Sequence, residues 1–466
     1  MNPRKGLLHY GAEFLLFLIL AAVLVFAIQL IPKENLTEKD NSAPLAAYPP
    51  PATNTPGPTV TSPPYQPPGG AAAEPTATYV KPPLCQFGGG PMPEASGPTL
   101  DDYVFSEPQV VLTSTGNIDL VEWLPDNQRI LTTHDIPNKI EQPIELFNPQ
   151  TGETQVIAVR KYNLPHMPPV WLQALNAVAY LDLNIPDINT PNVFTRQLWI
   201  SRGDPQAAQM VADGLSSFYL AGSLGGSQIA YLSNKQLALR DASSGVSRAI
   251  DFDPSQWLLS NDDSPWLNAS YEMAWQPGAS QIAFYTDADG GSFFFLADSD
   301  TGELCEVNLG GWAAVARWSQ DGRYLAAARV HGPVGGASSS DLAVLDTVTG
   351  VLYTMTVTPP EMEGQHYVND IAWAPDSRHL AVIGAVYASP GSGSSPDYDF
   401  RKHRGLYLVD FILGQKALVQ STYLYGGGVS GTNLAWSPDG SQLVAACPSG
   451  VEERLCLISV QGNDKP

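Results

Sequence analysis

Side chains that can do chemistry are few in this 466-residue chain, and two stretches concentrate them. Asp251–Tyr271 sets Trp257 and Trp266 among Asp251, Asp253, Asp262 and Asp263. Flat apolar rings beside carboxylates suit a sugar or a hydrated cation. Ala388–Arg404 is Gly/Ser-rich and then becomes Tyr398-Asp399-Phe400-Arg401-Lys402-His403-Arg404, a basic cluster fit for an anionic ligand. The same residue types also serve as packing and as partners for an acidic surface, which are their ordinary uses. Trp257, Trp266, Asp262, Asp263, Tyr398, Arg401 and His403 are the candidate binding residues.

Cysteine chemistry is limited to four residues, Cys85, Cys305, Cys447 and Cys456. Cys447 and Cys456 flank the loop Pro448–Leu455 symmetrically on consecutive apolar runs. Directly opposed residues of a non-hydrogen-bonded antiparallel pair come within disulfide reach, so a bond is expected there. For Cys85 and Cys305 the sequence leaves the pairing open, one option being a tether from the N-terminal segment to the fourth repeat.

Catalytic motifs are missing. No Gly-x-Ser-x-Gly elbow, His-Glu-x-x-His pair, Cys-x-x-Cys or Walker loop occurs. Gly88–Gly90, Gly335-Gly336 and Gly426–Gly428 are joints, because no helix pattern follows them to cradle a phosphate. No cofactor and no metal site is read from the sequence.

The elements that would position these side chains are strands. Trp436-Ser437-Pro438-Asp439-Gly440 lies between Leu434-Ala435-Trp436 and Gln442-Leu443-Val444-Ala445. Ser bonds back to the backbone, Pro presets φ, and Gly takes the left-handed exit, so the stretch reads strand, turn, strand. Degenerate copies stand at Trp123-Leu-Pro-Asp-Asn, Trp275-Gln-Pro-Gly, Trp318-Ser-Gln-Asp-Gly and Trp373-Ala-Pro-Asp-Ser. A strand-only unit recurring roughly every 40 to 60 residues signals a β-propeller.

Seven four-stranded blades are expected. The first begins at Ile118–Trp123, the second at Val170–Leu175, and the third at Ser217–Ala221. The later four begin at Met273–Trp275, Ala314–Trp318, Asn369–Trp373 and Thr432–Trp436. The second and third lack the Trp-Pro-Asp turn, which keeps six or eight blades open. The seventh is one strand short, and Gln109–Thr113 is expected to complete it and to close the ring without a free edge.

Trp-Ser-Pro-Asp-Gly, an apolar strand ending in Asp, and then a Thr-Gly turn together resemble the TolB-type propeller repeat. Asp346-Thr-Val-Thr-Gly350, Asp298-Ser-Asp-Thr-Gly302, Asn148-Pro-Gln-Thr-Gly152 and Asp241-Ala-Ser-Ser-Gly245 carry the second half. The resemblance spans most of residues 110–464. It implies a fold and transfers no functional residue, because the repeated positions are turn and packing residues.

Loop length separates the two faces of such a ring. Connections such as Ser437–Gly440, Ser319–Gly322 and Thr347–Gly350 are short. Those on the opposite face are long: His134–Pro143, Asn184–Arg196, Asp251–Tyr271, Val330–Ser340, Pro359–Val368 and Ala388–Arg404. Binding residues are commonly carried on loops over a rigid scaffold, so the long-loop face is the expected binding face.

The N-terminal hundred residues are of another kind. Arg4 and Lys5 precede an apolar run from Phe14 to Ile31 that Pro32 stops, just long enough to span a bilayer. The order of charges places the N-terminus in the cytosol. A cleaved signal peptide is the competing reading, but no small-x-small site follows. Residues 1–13 are thus expected as a cytoplasmic end, 14–32 as a transmembrane signal anchor, 33–98 as a Pro/Thr-rich disordered spacer, and 99–466 as the propeller. A net charge of −22 opposes nucleic acid.

The reading is an all-β, membrane-anchored extracytoplasmic propeller that binds a protein or polysaccharide of the cell envelope without catalysis. The alternative is a glycan hydrolase or lyase with paired carboxylates at the channel mouth.

Overall fold

The computed structural model describes residues 82–88, 90–114, 118–134, 139–162, 167–185, 194–215, 219–233, 236–251, 270–288, 291–331, 339–387, 403–421, 434–447 and 453–462. The chain divides into two compact units, residues 1–76 and 77–466, and every described residue belongs to the second. Residues 14–32 lie outside the described part, in which no helix is long and apolar enough to cross a membrane.

Two short strands come first, β1 (Tyr103–Phe105) and β2 (Gln109–Ser114). Blade one is β3 (Ile118–Trp123), β4 (Ile130–His134), β5 (Gln142–Phe147) and β6 (Thr154–Arg160). Blade two is β7 (Val170–Leu172), β8 (Ala177–Asn184), β9 (Thr195–Ser201) and β10 (Gln209–Leu215). Blade three is β11 (Ala221–Gly222), β12 (Gln228–Ser233), β13 (Gln236–Asp241) and β14 (Ser247–Asp251). Blade four is β15 (Ser270–Trp275), β16 (Gln281–Ala288), β17 (Gly291–Asp298) and β18 (Leu304–Val307). Blade five is β19 (Trp312–Trp318), β20 (Tyr324–His331), β21 (Ser339–Asp346) and β22 (Leu352–Met355). Blade six is β23 (Gln365–Trp373), β24 (His379–Tyr387), β25 (His403–Asp410) and β26 (Gln415–Gln420). Blade seven is β27 (Leu434–Trp436), β28 (Gln442–Cys447) and β29 (Glu453–Gly462), with β1 and β2 both paired to the free side of β29.

Seven apolar clusters hold these sheets together, one between each neighbouring pair of blades. Trp123 packs with Ala435, Val444 and Leu455 between blades seven and one. Trp275 lies between three and four, Trp318 between four and five, Trp373 between five and six, and Trp436 between six and seven. The remaining clusters join one to two and two to three, which closes the ring. Each motif tryptophan therefore packs against the blade before it. Trp318 Nε1 also donates to the carbonyl of Ala274 at 3.1 Å, and Trp373 Nε1 to that of Arg317 at 2.9 Å. Trp373→Ala would remove such a wedge at a cost of about 3–5 kcal/mol.

The degenerate blades fit the same frame. By pairing register, Trp171 opposite Val178 takes the motif tryptophan's place in blade two. In blade three that place is Gly222, opposite Ile229, where Val170 fills the space a side chain would need. Of the expected inner strand Ser217–Ala221, residues 217 and 218 lie outside the described residues, and the described strand is Ala221–Gly222.

The short-turn face is sealed by its own side chains. Ser437 Oγ accepts from Gln442 N at 2.9 Å and Ser319 Oγ from Tyr324 N at 2.9 Å. Asp298 and Asp346 accept two following backbone amides each, closing the Thr-Gly turns. The left-handed turn position is Gly440 or Gly322 in two blades, and Asn127 and Ser377 adopt it in two others.

Residues 82–88 and 90–98, the end of the span expected as spacer, make contacts with this face. Cys85 is disulfide-bonded to Cys305 of β18 with Cα atoms 4.8 Å apart. Leu84 bridges Glu306, Phe87 abuts Gly350, and the carbonyls of Pro91 and Ser96 accept from Arg323 and Arg378. The strap ends at Tyr103, whose hydroxyl donates to Asp376 at 2.8 Å while its ring meets His379 edge-on. Burial, reinforced by Asp376, pushes that phenol far above its ordinary range.

Cys447 and Cys456 are also bonded, with Cα atoms 5.3 Å apart. They are not directly opposed: Cys456 faces Ala445 and Cys447 faces Arg454, so the bond runs diagonally across the strand pair.

Candidate binding site on the loop face and channel wall

Four histidines stand at the ends of strands that open onto the loop face. His134 closes β4 and His331 closes β20, while His366 and His403 begin β23 and β25. Each has a partner close by. His134 Nδ1 lies 3.1 Å from Glu145, His331 Nε2 3.2 Å from Asp341, and His366 Nδ1 2.5 Å from Thr358 Oγ1. His403 Nε2 lies 2.7 Å from the Tyr407 hydroxyl, and burial lowers its pKa. The Tyr407 ring occupies the space that side chains at Gly384 and Gly405 would need, and these two glycines face each other across the strand pair.

Of the sequence-derived site residues, only His403 is described. Trp257, Trp266, Asp262, Asp263, Tyr398 and Arg401 lie outside the described residues.

Between blades one and two, at the same end, is a polar seam. Arg160, wholly buried at the end of β6, donates from Nη1 to Gln142 at 2.9 Å and from Nη2 to the carbonyl of Met167. Asp182 of β8 accepts from the amides of Lys161 at 3.0 Å and Leu183 at 2.8 Å. Burial pushes the Asp182 carboxyl up against those bonds. It also draws the Arg160 guanidinium down to about 10 and lifts the Tyr180 phenol to about 12. Ionisable groups displaced by burial gather at functional sites more than elsewhere.

The channel wall carries two further charges that sequence reading passed over. Glu122 on β3 accepts from the Trp171 amide of β7 at 2.9 Å. It is half-buried, and burial pushes its carboxyl up to about 7 against the bond from Trp171. Arg317 on β19 reaches Asp370 of β23 at 3.8 Å. The signal was present in the sequence: Ala274, Ala372 and Ala435 precede the motif tryptophan in blades four, six and seven, so Glu122 and Arg317 depart from the repeat.

No family model matches the chain, and no curated protein matches it. Among solved structures it is similar to TolB of Acinetobacter baumannii, at 18% identity over 71% of this chain and 79% of that one, with a TM-score of 0.36. Oligogalacturonate lyase of Vibrio parahaemolyticus gives 12% identity over 77% and 97%, with a TM-score of 0.49. Hydrazine synthase of Kuenenia stuttgartiensis gives 13% over 68% and 89%, with a TM-score of 0.41. At these identities and scores the likenesses carry neither a ligand nor a reaction over to this chain.

Proposed function

We propose that this protein is a binding propeller of the extracytoplasmic side, held at the membrane by residues 14–32 through a Pro/Thr-rich spacer. Its loop face takes up a protein or polysaccharide of the cell envelope. The observation that carries this reading is the contrast between the two faces. One is closed by hydrogen-bonded turns and overlaid by the strap from Cys85 to Tyr103. The other receives the longest connections, such as those from Asp251 to Ser270, Tyr387 to His403 and Gln420 to Leu434. Two disulfides support the outside location, since cytosolic thiols are kept reduced.

The test is binding of the full-length protein, in detergent, to purified envelope polysaccharide and to envelope protein fractions. Shortening 388–402 should abolish retention, whereas changes at turn residues such as Gln320 should leave it intact. Retention indifferent to the long loops would sink the reading.

A further inference from the structure

The strap enters the seam between blades four and five as an added strand. The Pro83 carbonyl accepts from Glu306 N, and Cys85 N donates to the Glu306 carbonyl, both at 2.8 Å. Leu84 thus runs parallel to β18 along its free edge. Cys85 and Phe87 fill the seam, packing on the cluster that joins blades four and five. A side chain at Gly350 would collide with Phe87.

The next seam is built alike but lacks the added strand. By pairing register Tyr353 and Thr354 of β22 stand where Cys305 and Glu306 stand in β18, and Gly414 is the counterpart of Gly350. No described residue pairs with the outer edge of β22, and a side chain at Gly414 would meet open space. A groove of about 250 Å³ lies there, lined by Tyr353, Met355, Phe411, Ile412 and Leu413 among others. The turn that forms its far wall is Ser299-Asp300-Thr301 in blade four and Thr347-Val348-Thr349 in blade five, but Phe411-Ile412-Leu413 in blade six. Leu413 is 45% exposed. Between blades three and four, by contrast, Arg248 reaches across the seam to Asp300.

We propose that the groove between blades five and six takes an extended segment of a partner protein, laid parallel to β22 with a large apolar side chain between Tyr353 and Leu413. The strap sets the chemistry of the occupant, because it fills the matching groove one blade earlier. Thr354 offers the amide and carbonyl that Glu306 gives to the strap, and the apolar walls receive a side chain in the place of Phe87. A free strand edge beside a side-chain pocket is a general means of capturing extended peptides. An apolar patch on a turn that the neighbouring blades make largely of polar residues marks an interaction site. With Tyr353 in the place of Cys305, the association is non-covalent. This site is independent of a partner on the long loops.

The probe is the peptide Pro-Pro-Leu-Ser-Gln-Phe-Gly, which is residues 82–88 with Cys85→Ser, labelled with fluorescein. It is titrated with the full-length protein in detergent, in which the Cys85–Cys305 bond keeps the strap in its own groove. Fluorescence anisotropy should rise to saturation. Leu413→Asp, a change at an exposed position, should weaken binding by about tenfold or more, and alanine for the phenylalanine of the peptide should do the same. Val246→Asp, at another exposed apolar turn position, should leave binding unchanged. No saturable binding, or equal binding by Leu413→Asp, overturns the proposal. So does elution of the peptide-free protein as a dimer that Leu413→Asp splits, which would give the groove to a second copy of this chain.

Discussion

Arg323 grips Asp346 with two nitrogens, Nε to Oδ1 at 3.1 Å and Nη2 to Oδ2 at 2.8 Å, and Nη2 also reaches the carbonyl of Pro91 at 2.8 Å. Arg378 repeats the device one blade on, pairing with Asp410 and holding the carbonyl of Ser96 at 2.9 Å. Both arginines stand five residues after the motif tryptophan. In blades three and four that place is serine, and Ser227 and Ser280 bond Asp241 and Asp298 at 3.1 and 2.8 Å without reaching outward. Arginine therefore marks the two blades that hold backbone carbonyls of the strap, while blade four holds it by the disulfide to Cys305.

Replacing both arginines by serine should release the strap. Each change leaves a buried aspartate with a weaker partner and costs about 1–3 kcal/mol. Limited proteolysis should then cut within residues 86–98, and an unchanged cleavage pattern would show that the strap is held by other contacts. Although burial raises the Asp346 carboxyl, its bonds to Arg323, Thr349 and Val348 win and lower it below 3.8. That contribution is present above the ordinary value and is lost as pH falls through the lowered one, so Arg323→Ser should cost less in acid than at neutrality.

The Cys85–Cys305 bond spans 220 residues and constrains the unfolded chain strongly. Loop closure alone sets an upper bound of roughly 5 kcal/mol. Cys305→Ser should lower the melting temperature more than Cys447→Ser, whose bond closes a span of only 9 residues. Thiol titration of the unreduced, denatured protein should find no free thiol.

Glu122 makes stability depend on pH with a definite sign. Its folded-state pKa is raised from 4.5 to about 7, so the folded chain holds the proton more tightly than the unfolded one. Stability therefore falls as pH rises between those two values. Discounted for solvent screening of a half-buried group, Glu122→Ala should gain about 1–2 kcal/mol at pH 8 and little at pH 4.5, measured by urea unfolding. A gain equal at both pH values would point to packing instead of charge.

Ring closure can be tested by truncation. β2 pairs with β29 from Gln109 opposite Leu457 to Ser114 opposite Glu453. A chain beginning at Ile118 loses β1, β2 and the strap, exposes the edge of β29, and should aggregate or melt far below one beginning at Pro82. Equal melting temperatures would refute closure by these strands.

Once a partner is in hand, Trp257→Ala and Arg401→Ala should each weaken binding by about 1 kcal/mol or more, on the order of tenfold, in a titration. Gln320→Ala on the turn face should change nothing.

The sequence by itself determined the blades whose turn is local. Trp436-Ser437-Pro438-Asp439-Gly440 carries strand, turn and wedge within five residues, and each is a short-range preference that needs no distant partner. The closing strand was also legible, because a blade one strand short requires one. Only the tertiary structure decided the rest. Pro82–Ser96 reads as proline-rich spacer, since what pins it, Cys305, Arg323 and Arg378, lies more than 200 residues away in sequence. The diagonal pairing of Cys447 with Cys456 follows from a register that symmetry about the loop did not give. Glu122 stood out only once the innermost strands were aligned, because a carboxylate's pKa depends on what crowds it, and in a closed ring the crowding groups come from other blades.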